Sequence, residues 1–217
     1  MDAFGDFAAA MSAAYPDWSG GLWKSETIAR LVALFPEGQL GVYVAGKLAG
    51  CALTIIVDID KLGFEHTYTK ATGGYTFNTH DPAGNVLYGI EVFVHPDSRG
   101  MRLGRRLYEA RKELCEHLNL RSVMFGGRIP NYHKHAKKLT PKQYIAKVRE
   151  KEIHDPVLSF QLSNDFHVVR LLKGYMPDDV NSMEYATLME WDNIYHNEAE
   201  MGGSWGRNVR LGLVQWQ

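Results

Sequence analysis

"VHPDSRGMRLGRRLYEARKEL", residues 94–114, sets Arg99, Arg102, Arg105 and Arg106 among glycines where an apolar β run gives way to a helix. A helix N-terminus carries about half a positive charge, so each cation there costs ~0.3–1 kcal/mol at low salt. Four arginines in that place need a counter-charge. A strand that enters a glycine-bearing turn and then a helix supplies one: the turn's N–H groups converge on an anion and the helix adds its field. A pyrophosphate would make the arginines partners at charge-assisted hydrogen-bond range. The competing reading is a solvated basic helix end. Glu113 and Glu116, near the far end of the helix, also oppose the dipole, and an anion at the turn does not explain them.

The chain has 217 residues, 45% of them hydrophobic and 23% charged, which suits one domain with an appendage. A net charge of -1 argues against a general nucleic-acid binder, so the arginine cluster is a local feature. Cys51 and Cys115 form no metal-type pair and read as reduced and buried. No apolar run spans a bilayer and no signal-peptide layout opens the chain. The reading is soluble and cytoplasmic, with no membrane partner.

Upstream of the motif, residues 3–14 predict a helix with Phe4, Phe7 and Met11 on one face. Ser25 is read as the cap of a second helix with Ile28, Leu31, Val32 and Phe35 as its stripe. "QLGVYVAG" and "KLAGCALTIIVDI" predict a hairpin turning at Ala45-Gly46. Residues 60–85 lack a period and read as a long loop or irregular hairpin. "VLYGIEVFV" is apolar on both faces, hence a central strand. The motif helix carries Leu103, Leu107, Ala110, Leu114 and Leu118 as a core stripe. "RSVMFGG" is a strand. Residues 128–153 read as an insertion: a loop bearing His and Lys, then a helix with a capping box over Thr140-Pro141-Lys142-Gln143. "DPVLSFQLSN" begins another helix, and "FHVVRLL" and "YATLMEW" close the compact unit as strands. "EMGGSWGRN" has linker composition, and "VRLGLVQWQ" reads as a fresh strand.

The motif resembles the acetyl-CoA signature V-x-P-x-x-R-G-x-G-x-G-x-x-L of the GNAT N-acetyltransferases. Val94, Pro96, Arg99, Gly100, Gly104 and Leu107 fall on it in register. The element order over residues 3–192 resembles that family too. The resemblance implies an α/β (α+β) GNAT acyl-CoA N-acyltransferase fold, with a mixed, mostly antiparallel central sheet flanked by helices. It implies acetyl-CoA as co-substrate, no metal, and an amine acceptor attacked directly. CoA contacts would come from Val92, Phe93, Val94, Arg99, Gly100, Met101, Arg102, Leu103, Gly104 and Arg105. A homodimer is among the states this resemblance admits.

Three features depart from the family pattern. Arg102 stands where glycine is usual, and either adds a phosphate contact or narrows the site. "FQLSNDF" fits the L-Y-x-x-x-G-F register with Asp165-Phe166 in the Gly-Phe place and Gln161 in place of the tyrosine that protonates the departing thiolate. The family's first strand has no counterpart before Ala3. More narrowly, "THDPAGN", the motif, "FGGRIPNY" and "DPVLSFQLSNDF" together resemble the acetyltransferase-like half of bacterial proteins with a nitrilase-like carbon–nitrogen hydrolase downstream. The expected division is residues 1–195 as the transferase-like domain and 196–217 as linker plus the first strand of that hydrolase. An alternative function follows: a catalytically weak acyl-CoA-binding module that regulates or positions the hydrolase.

Direct attack sets two proton problems. A lysine-like amine at pKa ~10.4 must lose a proton, roughly 4.6 kcal/mol from neutrality, whereas a thiol at ~8.5 costs about 2 kcal/mol to leave as thiolate. A base matters more than an acid. Glu91 is the candidate base, the ionisable carboxylate of the central strand, flanked by Ile90 and Val92, where desolvation should raise its pKa. The other reading pairs Glu91 with an arginine or an amide as a structural group. His80 and Asp81 either face the acceptor or make the turn before Pro82. His133 and His135 lack a third ligand at metal spacing and read as solvated loop. Tyr15, Trp18 and Trp23 either wall an acceptor pocket or fill core.

Overall fold

The structure, a computed structural model, describes residues 3–16 and 23–197. The elements run α1 (Ala3–Ala14), α2 (Ser25–Leu34), β1 (Leu40–Val44), β2 (Lys47–Val57), α3 (Ile59–Leu62), α4 (Tyr68–Ala71) and β3 (Val86–Val94). They continue with α5 (Leu103–His117), β4 (Ser122–Arg128), α6 (Pro141–Arg149), α7 (Leu158–Leu162), β5 (His167–Leu172) and β6 (Ala186–Asp192). The strands hydrogen-bond in the order β1-β2-β3-β4-β6-β5. The β1/β2, β4/β6 and β5/β6 pairs are antiparallel and β3/β4 is parallel, as the expected fold class requires. The β3/β4 register covers only Val86, Tyr88 and the residue between them, so the rest of β3 runs on without β4.

Contacts divide the chain into two compact units, one of Met1–Ile55, Gly89–Arg121 and Asn193–Gln217, the other of Ile56–Tyr88 and Ser122–Asp192. In the first, Ala45 (φ 48°) and Gly46 (φ 76°) turn the β1/β2 hairpin, both in the left-handed region that a two-residue hairpin turn needs. Phe7, Met11, Leu31, Phe93, Leu103, Leu107 and Leu114 are buried there. Each large apolar side chain contributes ~1.5–3 kcal/mol on burial. Helix α5 packs on β1. In the second, α7 packs on β4, and Phe125 and Phe166 meet with ring centres 4.8 Å apart. Thr140 and Gln143 form both halves of the capping box that starts α6. Buried Asp155 holds the insertion by accepting from Tyr144 Oη at 2.7 Å and from the Asn131 N–H at 3.0 Å.

Four local expectations are corrected. Ser25 is the first residue of α2 and makes no cap bond; Lys24 occupies the cap. Val32 is exposed, and only Leu31 and Phe35 of the predicted stripe are buried. Residues 60–85 hold most of α3, all of α4 and a chain of turns, because Asp58 and Thr67 cap helices too short to show a period. Arg111 joins the buried face of α5, whereas Ala110 and Leu118 stay half-buried. Cys51 and Cys115 are free thiols and buried. Trp18 and "VRLGLVQWQ" lie outside the described residues. Among the described residues no helix is long and apolar enough to cross a membrane.

Candidate functional site

The turn after β3 is built by its own sequence. His95 Nδ1 accepts the Asp97 N–H at 3.2 Å, and Pro96 opens a single 3-10 turn closed by the Arg99 N–H on the Pro96 carbonyl at 3.1 Å. Gly100 then takes φ 85° and Arg102 φ 59°, ψ 23°, before α5 begins. The backbone N–H groups of residues 100–104 meet no acceptor among the described residues. A side-chain carbon added at Gly100 would find open space. The turn is therefore a row of unpaired donors at a helix N-terminus, the arrangement that concentrates positive potential.

The arginines divide in their use. Arg105 is ion-paired with Glu109 one turn on, Nε to Oε1 at 2.8 Å. Arg99 and Arg102 are exposed and meet no acidic partner among the described residues. Arg102 holds a left-handed backbone, which glycine adopts without strain, and its guanidinium is presented outward. Asp165, the other residue in a family glycine place, does the same at φ 64°. Leu103 turns its side chain into the core, while Met101 is 49% exposed.

Glu91 stands on β3 in a network that ties the start of the chain to α5. The Tyr15 hydroxyl lies 2.8 Å from Glu91 Oε1 and 3.0 Å from the Val92 carbonyl, its single proton shared between them. The Val92 N–H donates to Glu91 Oε1 at 2.9 Å. Trp23 donates to the same carboxylate. Burial pushes the Glu91 pKa up, opposed by these bonds and by the Arg111 charge. Arg111 is 1% exposed; its Nη2 donates to the Leu53 carbonyl at 2.8 Å and also to the Glu91 carbonyl, while Nε finds no acceptor. Burial pushes the Cys51 thiol up to about 12, with Glu91 adding to the rise, so this thiol is inert near neutrality.

The other predicted residues sit as follows. Phe93 is buried against Phe7 and Tyr15, and its carbonyl faces β2, where a side chain at Gly50 would come within 2.9 Å of it. The polar backbone groups of Val92 are already taken by Glu91 and Tyr15. In the second unit, His80 Nδ1 accepts the Ile56 N–H at 3.1 Å, and Asp81 accepts from the Ala83 N–H at 2.9 Å and from Lys61 at 3.3 Å. These bonds shape the loop, which is turn chemistry. Gln161 is buried with Oε1 unpartnered, and a side chain at Gly127 would meet that oxygen at 2.3 Å. His133 donates to main-chain carbonyls at Pro130 or Asn181.

Sequence reasoning missed one buried polar chain in that unit. His66 Nδ1 lies 2.6 Å from the Gly63 carbonyl, so Nδ1 carries the proton and Nε2 accepts from the Tyr88 hydroxyl at 2.7 Å. Tyr88 in turn lies 2.9 Å from the Tyr175 hydroxyl. Gly126 is glycine because the Tyr175 ring would lie 2.1 Å from any side-chain carbon there. Nothing in the local pattern announces these partners, which are 22 and 87 positions apart.

With the turn, the sheet order and the β3/β4 divergence established, the profile of the acetyltransferase (GNAT) family matches residues 7–139, and the chain belongs to that family. Among curated proteins it is 45% identical over 172 residues to the probable hydrolase YhcX of Bacillus subtilis (strain 168), covering 79% of this chain and 34% of that one. The chain thus spans about a third of that relative. It is 34% identical over 178 residues to the uncharacterized N-acetyltransferase YkwB of the same organism, covering 82% of this chain and 78% of that one. Two solved structures share the fold. The GphF GNAT-like decarboxylase in complex with isobutyryl-CoA superposes with TM-score 0.74 at 21% identity, covering 87% of this chain and 93% of that one. The loading GNATL domain of CurA from Lyngbya majuscula gives 0.73 at 24%, covering 87% and 92%.

Proposed function

We propose that this chain binds an acyl-CoA, acetyl-CoA first, and transfers the acyl group to a primary amine. The observation that supports the reading is the row of N–H groups at residues 100–104 and the guanidinium groups of Arg99 and Arg102, which meet no partner among the described residues. A diphosphate matches both in charge and in acceptor number. Arg105 is a weaker contributor because Glu109 competes for it. Met101, Leu103 and Gly104 serve through their backbone.

In the proposed reaction the amine nitrogen attacks the thioester carbonyl carbon, a C–N bond forms and the C–S bond breaks. The excess proton on nitrogen goes to Glu91; the sulfur leaves as thiolate and is protonated from solvent, to which Glu91 returns its proton, so the base is restored and no net proton is lost. Burial raises the pKa of Glu91 toward what a base needs, while Tyr15, Trp23 and Arg111 keep the carboxylate ionisable. The edge of β3 at Val92, Phe93 and Val94 would take the pantetheine arm. That arm competes with Tyr15 and Glu91 for the Val92 backbone, so its docking requires both side chains to turn away. Gln161 cannot protonate a thiolate, consistent with the small cost of thiolate departure at neutral pH. His80 and Asp81 have no step in this reaction and are left as loop-forming groups.

A second reading is favoured by the match to a probable hydrolase three times the length of the matched region. In it, residues 1–195 are an acyl-CoA-binding module and residues 196–217 lead to a carbon–nitrogen hydrolase. Titration with CoA by calorimetry tests the shared step: Arg99→Ala and Arg102→Ala should each weaken binding severalfold, and unchanged affinity in both would sink either reading. Turnover separates them. An amine panel with acetyl-CoA, followed by thiol release, should give an acceptor for the transferase and none for the module.

A further inference from the structure

A group outside the site converges on one face of the β5/β6 ladder. His167 pairs directly with Glu190, and Asp192 lies two residues further along β6, so all three side chains project from the same face. The imidazole sits between the carboxylates, Nε2 at 3.8 Å from Glu190 Oε2 and Nδ1 at 3.8 Å from Asp192 Oδ2. One ligating atom from each of the three lies within 4.8 Å of the others. These separations are too long for hydrogen bonds, and no hydrogen bond among the described residues engages any of the three side chains. Two ligands on a tetrahedral zinc, at bond lengths of about 2.0–2.1 Å, stand roughly 3.4 Å apart. An ion would bind one of the two ring nitrogens, and the three donor atoms, spaced up to 4.8 Å, would have to close by at most about 1.4 Å.

A second observation points the same way. Ser122 on β4 pairs directly with Asp192, which puts its side chain on that face. Ser122 is fully buried and its Oγ meets no partner. An unsatisfied buried hydroxyl costs ~1–3 kcal/mol, and a water carried by an ion at this triad would give it a partner.

We propose that His167, Glu190 and Asp192 form a binding site for a first-row transition dication, zinc foremost. One imidazole nitrogen with two carboxylates suits zinc better than calcium or magnesium, which prefer all-oxygen shells. Glu190, with a side chain 13% exposed, is the fixed floor of the site; His167 at 52% and Asp192 at 65% close from outside. Because His167 opens β5, the strand at the end of the sheet order, a bound ion would pin that strand to β6. The buried thiols of Cys51 and Cys115 do not compete. The site is independent of the acyl-CoA reading.

The experiment is calorimetric titration of the chelator-stripped chain with zinc chloride, repeated on His167→Ala, Asp192→Asn and, as a control, the His133→Ala/His135→Ala pair. One ion per chain should bind, with affinity falling at least tenfold in His167→Ala and Asp192→Asn and unchanged in the control. Circular dichroism reports whether each variant keeps its fold. Absence of binding to the parent chain overturns the proposal, as does binding that survives His167→Ala or that disappears in the control. Cobalt chloride gives an independent readout, since a nitrogen- and oxygen-ligated cobalt site develops visible absorption that His167→Ala should remove.

Discussion

Replacing Arg102 with glycine should move stability and ligand affinity in opposite directions. Arg102 holds φ 59° and ψ 23° at the cap of α5 and makes no side-chain cap bond. A left-handed backbone costs a residue with a side chain about 1–2 kcal/mol, and glycine nothing. Glycine gives back roughly 0.5–1 kcal/mol through the extra freedom of the unfolded chain. The net is about 0–1.5 kcal/mol in favour of the variant, a rise in Tm of at most roughly 6 °C for a chain of this size. Affinity for CoA should fall, because the variant loses one guanidinium from the turn while keeping its N–H groups. A charge-assisted hydrogen bond is worth ~1.5–3 kcal/mol. Arg102 is exposed, so the lower figure applies, which is about a tenfold rise in Kd. The difference between parent and variant should shrink as salt is raised to ~1 M, where the screening length is about 3 Å. Differential scanning fluorimetry and calorimetric CoA titration at two salt concentrations measure both. An unchanged Kd at low salt, or a Tm lowered by several degrees, would refute the account of this turn.

Four further outcomes follow from the structure. Glu91→Gln should abolish amine-dependent thiol release while leaving CoA affinity within a few fold; full turnover removes Glu91 from the reaction. Because burial raises the folded-state pKa of Glu91, the folded chain holds that proton more tightly, and stability drops as pH rises from the ordinary carboxylate range through the folded value. Glu91→Gln should flatten that part of a Tm-against-pH curve, and an identical slope in the variant contradicts it. Arg111→Leu strands the Leu53 and Glu91 carbonyls and should cost about 2–5 kcal/mol by urea denaturation, with a loss under about 1 kcal/mol counting against the buried role of Arg111. Gly126→Ala puts a carbon on the Tyr175 ring and should cost at least ~1–3 kcal/mol, with the Tyr88–Tyr175 bond displaced; a neutral result would mean that the ring has room to move.

The departures from the family signature also have a common physical sense. Arg102 and Asp165 stand where the resemblance to the family signature expects glycine, and both take positive φ. Each is exposed and holds a backbone that glycine would take without strain, at a cost of about 1 kcal/mol. Gln161 differs in kind. It exchanges a hydroxyl for an amide whose oxygen is left unpartnered beside Gly127.

By itself the sequence determined what depends on neighbours within a few positions. The strand–turn–helix of residues 86–117, the Ala45-Gly46 hairpin and the Thr140–Gln143 capping box were legible because period, turn residues and caps act over four or five residues. The turn that carries the proposed CoA reading belongs to this class. Only the tertiary structure decided what pairs across distance. The insertion of β6 between β4 and β5 follows from strand register, which no local pattern states. Arg111 looks like a surface charge in the sequence, yet it is buried because two strand carbonyls remain to be satisfied at its level. Tyr15 reaches Glu91 across 76 positions, and His167 meets Glu190 and Asp192 through a ladder. The physical reason is common to these cases: hydrogen bonds and ion contacts act over a few ångströms of space, and chain separation carries no information about that space until the fold has closed.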